Sequence, residues 1–396
     1  MKILQVNNVY AEKSTGKLTK QLHEGLLREG YDSMVVYGRG RTTKEAGVIR
    51  LCPDWYGKLN SLLSRVTGMP YGGCHWSTAR LKRIIRREKP DVVHLQCING
   101  NFVNIYRLIA WLKKQKIRTV VALHAEFMYT ANCGHAFDCQ QWKTGCRQCP
   151  NRKKANKSWL FDRTARSWRR MQGAFAGFEE NCIIAPVSPW TEGRARQSEI
   201  LKHFPFQTVY NGVDTEAVFH RDGEHPQENT VLSVTAHFSD AQDHPKGGWY
   251  LLQLARRMPE VTFLVAGNAD QIPDKPDNVH LLGVVRDQKD LAKHYSRAAV
   301  SLLVSLRDTF SMTCAESLCC GTPVVGFCAG APEQIALSAY SDFVPFGDLD
   351  GLEAALRKWL RADCDREQIA REARDTYCAE TMVNAFMQMY GREQWN

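Results

Sequence analysis

Short apolar runs alternate with helix-length segments along almost the whole chain, and this alternation constrains the fold more than any other feature. The runs are rich in Val, Ile and Leu without a polar residue at every second position, which is typical of strands covered on both faces. The intervening helices would cover those faces, so we expect parallel sheets. The predicted strands are 2–7, 33–37, 91–96, 117–123, 182–187, 207–210, 230–236, 261–266, 279–285, 299–305, 322–327 and 342–345.

The length and composition indicate a soluble α/β protein with more than one domain. With 396 residues the chain is long enough for two domains, each with its own core. No apolar run reaches the roughly 18 residues of a membrane span. Fourteen cysteines without a signal-peptide pattern indicate a reducing compartment. We therefore expect a cytoplasmic protein, with the inner face of the plasma membrane as a second location.

The chain is basic, with a net charge of +10, and much of the excess lies in its first half, at 80–87, 113–118 and 152–170. Nucleic acid, an anionic membrane surface and phosphorylated sugars would all be attracted by such a charge. Solvated helix faces are the simpler explanation for each single cluster, so charge alone does not identify the partner.

The most informative segment begins with the apolar run 300–304. A polar loop with Asp308 follows it, and a helix then begins with small residues near Ser311 and carries Glu316. The start of such a helix favours a phosphate, because its first N–H groups have no intrahelical partner. A carboxylate beyond the first turn accepts hydrogen bonds from sugar hydroxyls. The segment therefore predicts a nucleotide-sugar site.

The two acids also fit a hydrolase with paired carboxylates, but less well. A fully helical spacing of eight residues would separate them by ~12 Å. That exceeds the roughly 5–9.5 Å found in such pairs. Because part of the segment is loop, the spacing weakens the hydrolase reading without excluding it.

This segment resembles the donor-site signature of glycosyltransferase family 4. The resemblance is carried by Asp308, by Glu316 after seven intervening residues, and by the following Gly321-Thr-Pro-Val-Val. The resemblance covers roughly residues 180–390 well and the earlier part more loosely. It implies the GT-B fold, in which two Rossmann-like domains carry parallel sheets that face each other across a cleft. It also implies retention of the sugar's anomeric configuration without a required catalytic metal. Asp308 stands where the family usually has Glu.

The resemblance and the turn signal at Asn211-Gly212 together divide the chain into three parts. We expect an N-terminal acceptor-binding domain over 1–205 and a nucleotide-sugar-binding domain over 206–378. The segment 379–396 has apolar residues at helical spacing, and in relatives such a tail crosses back onto the first domain.

The resemblance assigns roles within the second domain. Glu316 would bind the ribose and Asp308 the transferred sugar, while Lys246 would stabilise the diphosphate. The helix start and two glycine turns complete this predicted donor site with Ser311, Met312, Thr313, Gly247 and Glu333. An Arg that relatives carry after the preceding strand is missing, because that strand continues into Ala236, His237 and Phe238.

In the first domain, the turn after the first strand places Thr15 and Gly16 near the donor phosphate and the acceptor, according to the resemblance. It does not fit a P-loop, which requires Ser or Thr where the chain has Leu18. His124 resembles the family's His beside the transferred sugar, and we assign it a catalytic role with Asp308 and Lys246. Ala125 replaces the Asp that follows this His in relatives.

Two further features lie at predicted loops or strand ends of the first domain. His94 ends a predicted strand, where it is either a site residue or a structural one. The segment 133–149 contains four cysteines with a final Cys-x-x-Cys-Pro turn, and structural zinc, buried thiols and disulfides all stay open. The four cysteines are Cys133, Cys139, Cys146 and Cys149.

The segment 55–66 mixes aromatic, aliphatic and basic residues. It fits either a peripheral membrane contact near a lipid-linked acceptor or an ordinary helix packed on the sheet.

We predict a retaining glycosyltransferase that transfers a sugar from a nucleotide-diphosphate donor to a glycan or lipid-linked acceptor, with no nucleic-acid partner. One alternative is a basic, zinc-containing nucleic-acid-binding protein, which leaves the acid pair without a role. Another is a sugar-nucleotide-binding scaffold without turnover, which the change to Ala125 and the missing Arg make conceivable.

Overall fold

The computed structural model describes residues 1–153, 156–221, 223 and 225–392. The chain forms two compact units, of which the first contains Met1–Tyr210 together with the C-terminal residues from Met382 onward. The second unit is Asn211–Thr381. The change of unit falls after Tyr210, five residues later than the domain boundary predicted after residue 205.

The first unit is built on a parallel sheet with strand order β3-β2-β1-β4-β5-β6. The central strand β1 pairs with both β2 and β4, so that Ile3 lies beside Ser33 on one side and Val92 on the other. Consecutive residues along these strands are buried, as expected for a sheet whose two faces are both covered by helices. The strands are β1 (Lys2–Asn7), β2 (Asp32–Tyr37), β3 (Val48–Arg50), β4 (Val92–Leu95), β5 (Arg118–Leu123) and β6 (Cys182–Pro186).

Helices connect and cover these strands. Their apolar faces pack into one large cluster that includes Leu81, Ile109 and Phe175. The helices of this part of the chain are α1 (Lys13–Arg28), α2 (Asp54–Thr67), α3 (His75–Glu88), α4 (Ile105–Lys114), α5 (Phe127–Thr130), α6 (Thr164–Phe175) and α7 (Pro189–Ala195), with short 3-10 turns at Gln141–Lys143 and Glu179–Asn181.

The second unit repeats the same topology, with strand order β12-β11-β10-β7-β8-β9. Its strands are also parallel, and β10 lies between β7 and β11. The strands are β7 (Thr230–Phe238), β8 (Thr262–Ala269), β9 (Val279–Gly283), β10 (Val300–Leu303), β11 (Val324–Phe327) and β12 (Ser341–Val344).

The helices of the second part of the chain, apart from the last one, cover this sheet around a separate core that contains Leu251, Phe263 and Leu356. They are α8 (Gly248–Arg257), α9 (Gln288–Arg297), α10 (Met312–Cys319), α11 (Pro332–Ile335), α12 (Leu349–Arg361), α13 (Arg366–Tyr377) and α14 (Ala379–Tyr390), with a 3-10 turn at Ser338–Tyr340.

The last helix, α14, contributes most of its apolar residues to the core of the first unit. Val383, Phe386 and Tyr390 are buried in a cluster with Ile3 of β1 and Leu22 of α1. The helix therefore covers one face of the first sheet although it is the last element of the chain.

Two strands differ from the sequence-based prediction. The edge strand β3 was missed, because its three residues are only half-buried and carry no strong apolar run. The predicted strand 207–210 is not one of the named strands, but the segment extends along the edge strand β6. The Gln207 and Val209 N–H groups donate to the Ile184 and Pro186 carbonyls at 3.0 and 2.9 Å, and Phe206 forms an isolated parallel bridge with Ile184.

Within the described ranges, none of the helices combines the length and the hydropathy that a membrane-spanning helix requires.

Candidate functional site

The predicted donor residues of the second unit lie in loops and a helix that follow the carboxyl ends of parallel strands. Chain order reverses between β7 and β10, which are neighbours in the sheet. In open α/β sheets, ligands bind outside the carboxyl ends of the strands at this reversal. The loop after β7 carries Lys246, the loop after β10 carries Asp308, and the turn after β11 leads to Glu333.

The start of α10 has the backbone geometry of an anion site. Ser311 precedes the helix with a φ of +75°, and its Oγ accepts a hydrogen bond from the Cys314 N–H at 3.4 Å. Thr313 Oγ1 lies 3.1 Å from Ser311 Oγ. The N–H groups of Met312 and Thr313 have no acceptor in the described part of the chain, as expected for the first turn of a helix. They are available to a phosphate.

Asp308 is fixed by the turn that follows β11. Its N–H donates to the Ala329 carbonyl at 3.0 Å, and it forms a parallel bridge with Gly330. One of its carboxylate oxygens, Oδ1, accepts a hydrogen bond from the Phe310 N–H at 3.3 Å. The half-buried Asp308 side chain is thereby held just before the start of α10.

Glu333 holds the same turn. Its carboxylate accepts hydrogen bonds from the Ala329 and Gly330 N–H groups at 3.0 and 2.9 Å. These contacts stabilise the turn against which Asp308 lies. In this structure Glu333 therefore acts on the site by positioning its backbone, and its assignment as a donor-binding residue stays a prediction.

Glu316 lies in the second turn of α10 and is half-buried. Tyr295 of α9 donates a hydrogen bond from its hydroxyl to Glu316 Oε2 at 3.3 Å. Tyr295 is fully buried, and burial together with the negative charge of Glu316 holds the pKa of its hydroxyl well above the usual value. The tyrosine thus remains a donor that orients the carboxylate.

Lys246 and Gly247 lie directly against the loop that follows β10. Gly247 has a φ of +69°, and a Cβ at this position would lie 1.9 Å from the Val304 carbonyl oxygen. Only glycine permits this close approach of residue 247 to Val304. The Leu306 N–H also donates to the Pro245 carbonyl at 2.9 Å, which joins the two loops. The half-buried Lys246 side chain has no ion-pair partner among the described residues.

His237 is a basic residue next to the carboxyl end of β7, the strand after which the expected Arg is missing. Its Nε2 lies 3.0 Å from Asp270 Oδ1, and its ring centre is 5.4 Å from that of His244. The absence of the Arg is visible in the sequence, but no role was predicted for His237. The signal was the basic residue itself, placed at the carboxyl end of the strand at the sheet's reversal point.

The predicted residues of the first unit follow different strands of its sheet. The Asn7 amide at the end of β1 donates to the Thr15 carbonyl at 3.0 Å and fixes the start of α1. Gly16 is buried there, and a Cβ would lie 3.1 Å from Val9 Cγ2. His124 follows β5, where its Nε2 contacts Gln96 Oε1 at 2.7 Å. Burial lowers the pKa of His124 to about 4, which keeps its imidazole neutral near pH 7.

His94 is a core residue one position before the end of β4, in agreement with the structural alternative for this residue. It lies within β4 with no exposed surface, and its Nδ1 is 2.7 Å from the Tyr390 hydroxyl. Its ring packs against Phe386 with the ring centres 4.7 Å apart. Burial, followed by the proximity of His124, lowers the pKa of His94 to about 3.

Glu126 does not take the place of the Asp that relatives carry where this chain has Ala125. It is fully buried and accepts hydrogen bonds from Arg194 Nε at 2.6 Å, from the Tyr129 hydroxyl at 2.7 Å and from the Ala136 N–H at 2.5 Å. A buried carboxylate needs such partners to offset its loss of hydration. Glu126 therefore fixes the start of the cysteine-containing segment.

The four cysteines of this segment are neighbours with free thiols. Burial raises the pKa of Cys133 well above the usual value, and the neighbouring Cys146, Cys149 and Cys139 raise it further. Burial also raises the pKa of Cys146 to about 12. Among the described residues, no group of three or more His, Cys, Asp or Glu side chains has a geometry that could hold a metal. Structural zinc stays a prediction that elemental analysis of the purified protein tests.

Comparison with known proteins agrees with this architecture. The sequence profile of Glycosyltransferase Family 4 matches residues 15–217, just over half of the chain, and that of Glycosyl transferases group 1 matches residues 237–362. The chain belongs to Glycosyltransferase Family 4. Its second half carries the donor-site signature from which that family was expected.

A relative in Escherichia coli (strain K12), named as the colanic acid biosynthesis glycosyl transferase WcaC, is 29% identical over 162 residues. The match covers 38% of this chain and 40% of WcaC, so the chain spans less than half of the relative's length.

Three solved structures share the fold over nearly the whole chain. Sucrose-phosphate synthase from Thermosynechococcus elongatus is 15% identical, with a TM-score of 0.68 and 98% of each chain covered. The trehalose-6-phosphate synthase OtsA is 13% identical, with a TM-score of 0.64 and 99% of each chain covered. Anabaena HepE in complex with UDP-glucose is 13% identical, with a TM-score of 0.62 and 98% and 99% covered. The fold is therefore the two-domain α/β fold called GT-B.

Proposed function

We propose that the chain is a retaining glycosyltransferase that moves a sugar from a nucleotide diphosphate to a hydroxyl of a polysaccharide or lipid-linked acceptor. The observation that carries the proposal is the arrangement at the reversal point of the second sheet. There the loop of Lys246, the loop of Asp308 and the open start of α10 lie together. Anabaena HepE, which shares the fold, binds UDP-glucose. The profile matches to glycosyltransferases also support the proposal.

The proposed donor site uses charge and fixed backbone dipoles. The N–H groups of Met312 and Thr313 would donate to the diphosphate, and Lys246 would neutralise the charge that develops on it. Glu316, oriented by Tyr295, would accept hydrogen bonds from the ribose hydroxyls. Asp308 would accept hydrogen bonds from the transferred sugar.

In the proposed reaction, the bond between the anomeric carbon and the diphosphate oxygen breaks as a bond to the acceptor oxygen forms. The acceptor proton passes to the departing diphosphate, so no side chain has to keep it. The neutral His124 would donate or accept a hydrogen bond at the sugar without changing its own charge. The proposal requires no catalytic metal.

The donor role of Glu316 is tested by Glu316→Gln. Hydrogen bonds to a charged acceptor contribute about 1.5–3 kcal/mol, so nucleotide affinity should fall by roughly 10- to 150-fold. A thermal-shift panel of UDP-, GDP- and ADP-sugars identifies the donor, and calorimetry then measures its affinity for both proteins. The matched control is Glu216→Gln, at an exposed position of the same unit. Unchanged affinity in the Glu316 variant would overturn the donor assignment.

Sugar transfer separates an enzyme from a binding scaffold. The enzyme should release the nucleoside diphosphate in step with glycosylated acceptor. A protein that binds the donor but gives neither transfer nor donor hydrolysis with any glycan or lipid-linked acceptor would be the scaffold.

The surface of α2 favours an acceptor held at a membrane. The helix buries only Gly57 and Asn60 among its residues, and Trp55 is 65% exposed. Its other exposed apolar residues are Leu59, Leu62 and Leu63. Lys58 and Arg65 add positive charge on the same helix. An exposed apolar face with basic residues is typical of helices that lie in a membrane interface.

We therefore propose that α2 contacts an anionic membrane surface, and Trp55→Glu with Leu59→Glu tests it. Wild-type protein should float with vesicles that contain phosphatidylserine, and the double variant should remain unbound because two charges enter the apolar face. Leu27→Glu, at an exposed leucine of α1, is the matched control. Equal flotation of the double variant and the wild type would exclude this surface.

A further inference from the structure

A polar pocket in the first unit is lined by residues other than the predicted site residues Thr15, Gly16 and His124. It has a volume of about 590 Å³, within the range of roughly 300–1,000 Å³ typical of small-molecule sites. Its walls come from α2, from the loops after β2, β4 and β5, from the first residues of the cysteine-containing segment and from residues just beyond that segment.

The placement of this pocket fits the ligand-binding edge of an open α/β sheet. Arg39 follows β2, Asn99 and Asn101 follow β4, and Asn132 lies in the connection after β5. The carboxyl ends of these strands therefore all contribute to one pocket. The first sheet has the strand order β3-β2-β1-β4-β5-β6, for which ligands are expected at that edge.

The charge of the pocket has one sign. Arg39, Arg65 and Lys157 line it, and the described lining residues include no Asp or Glu. None of the three cations has an ion-pair partner within the described part of the chain. Arg65 instead lies over the ring of Trp159, with 5.7 Å between its guanidinium carbon and the ring centre. Three cations without a close ion-pair partner around a concave surface favour an anion.

Two buried carboxamides in the same wall have unused hydrogen-bonding capacity. Asn156 is 7% exposed, and neither its Oδ1 nor its Nδ2 has a partner in the described structure. Asn132 is 3% exposed, and its Oδ1 also has no partner, although its Nδ2 contacts the Thr130 and Thr164 carbonyls at 3.3 Å. Buried amides are normally satisfied, so these atoms point to a polar ligand.

We propose that this pocket binds an anionic sugar, whose phosphate or carboxylate lies among Arg39, Arg65 and Lys157. The hydroxyls of that sugar would exchange hydrogen bonds with Asn132 and Asn156. Its place as the acceptor subsite rests on the proposed glycosyl transfer, whereas the binding itself does not. The exposed apolar face of α2 adjoins the pocket through Arg65, so a sugar linked to a lipid through phosphate would suit both surfaces.

Binding of three small probes to the full-length protein tests the pocket. Calorimetry with glucose 1-phosphate, glucuronate and glucose should show binding of an anionic probe and at least tenfold weaker binding of glucose. Preference for glucose 1-phosphate indicates a phosphate-linked acceptor, and preference for glucuronate indicates an acidic glycan. Equal binding of all three probes, or binding of none, would overturn the proposal.

Variants connect the binding to these residues. Arg39→Ala with Arg65→Ala should weaken binding of the anionic probe at least tenfold. Arg83→Ala, at an exposed arginine of α3 outside the pocket, should leave it unchanged. Nucleotide affinity, measured on the same samples, should be unaffected by all three substitutions, and amide NMR spectra show whether the first unit is folded in each variant. Wild-type affinity of the double variant for the probe would place the anion elsewhere.

The same measurements separate this inference from the proposed function. Binding of the anionic probe without nucleotide binding or transfer would leave the pocket supported and the glycosyltransferase proposal wrong. Nucleotide binding and sugar transfer without binding of any probe would support the glycosyltransferase proposal and show that the pocket proposal is wrong.

Discussion

Two histidines on neighbouring strands show how position decides the role of a residue. His94 and His124 both belong to the part of the chain around β4 and β5, and both look from sequence like strand-end groups. His94 lies against Tyr390 and Phe386 of α14 and has no exposed surface. His124 is half-buried beyond the end of β5 and remains the only one of the two that we place in the proposed site.

The burial of these histidines predicts a loss of stability in mild acid. Their folded pKa values, about 3 and about 4, lie below the unfolded value of about 6.5. The unfolded chain therefore binds more protons between those limits. The resulting stability is complete above pH 6.5 and is lost as the pH falls towards 4.

We expect each histidine to lower the free energy of unfolding by about 2 kcal/mol between pH 7 and pH 5. Urea unfolding of wild type and His94→Gln at both pH values measures the contribution of His94. The variant should lose about 2 kcal/mol less than the wild type over this interval. Parallel losses in the two proteins would show that His94 is not buried as a neutral group.

At the scale of elements, the contact between α1 and α14 depends on a glycine. A Cβ at Gly25 of α1 would lie 2.5 Å from Val383 Cγ2 of α14. Glycine inside a helix normally costs about 0.5–1 kcal/mol relative to alanine. Its presence here permits the close approach that buries Phe386 and Met389.

Alanine at two helical glycines should therefore have opposite effects. Gly25→Ala should destabilise the protein by about 1–3 kcal/mol, because the added methyl group forces α14 away from α1. Gly173→Ala in α6 should stabilise it by about 0.5–1 kcal/mol, because nothing lies within 4 Å of the added Cβ. Thermal unfolding of both variants measures the difference. A stabilised Gly25→Ala protein would contradict the packing of these helices.

At the scale of the whole molecule, each unit has its own parallel sheet and its own core. The second unit is one continuous stretch, Asn211–Thr381, whereas the first also requires residues from Met382 onward. A single continuous fragment of the chain therefore contains the whole second unit but only part of the first.

A fragment of residues 211–381 should fold alone and bind the nucleotide of the donor. A fragment of residues 1–210 should be unstable, because it lacks the α14 side chains that cover Ile3 and Leu22. Circular dichroism and amide NMR spectra of both fragments measure this. A cooperatively folded 1–210 fragment would show that α14 is dispensable.

Much of the architecture could be predicted from sequence, because consecutive apolar residues and turn glycines act over a few positions. The alternation of runs and helices predicts parallel sheets, and the motif from Asp308 to Glu316 predicts where a donor would bind. Chain topology also brings Lys246 to that place without any knowledge of side-chain contacts.

Only the tertiary structure shows which hydrogen-bond or ion-pair partner each polar group has. Glu333 binds the backbone of its own turn, Glu126 pairs with Arg194, and His94 meets a tyrosine 296 positions away. Sequence spacing carries no information about such partners, since they depend on which surfaces pack together. The sequence by itself thus determined the two-sheet fold and its family, while packing determined which of its acids and histidines remain available to a ligand.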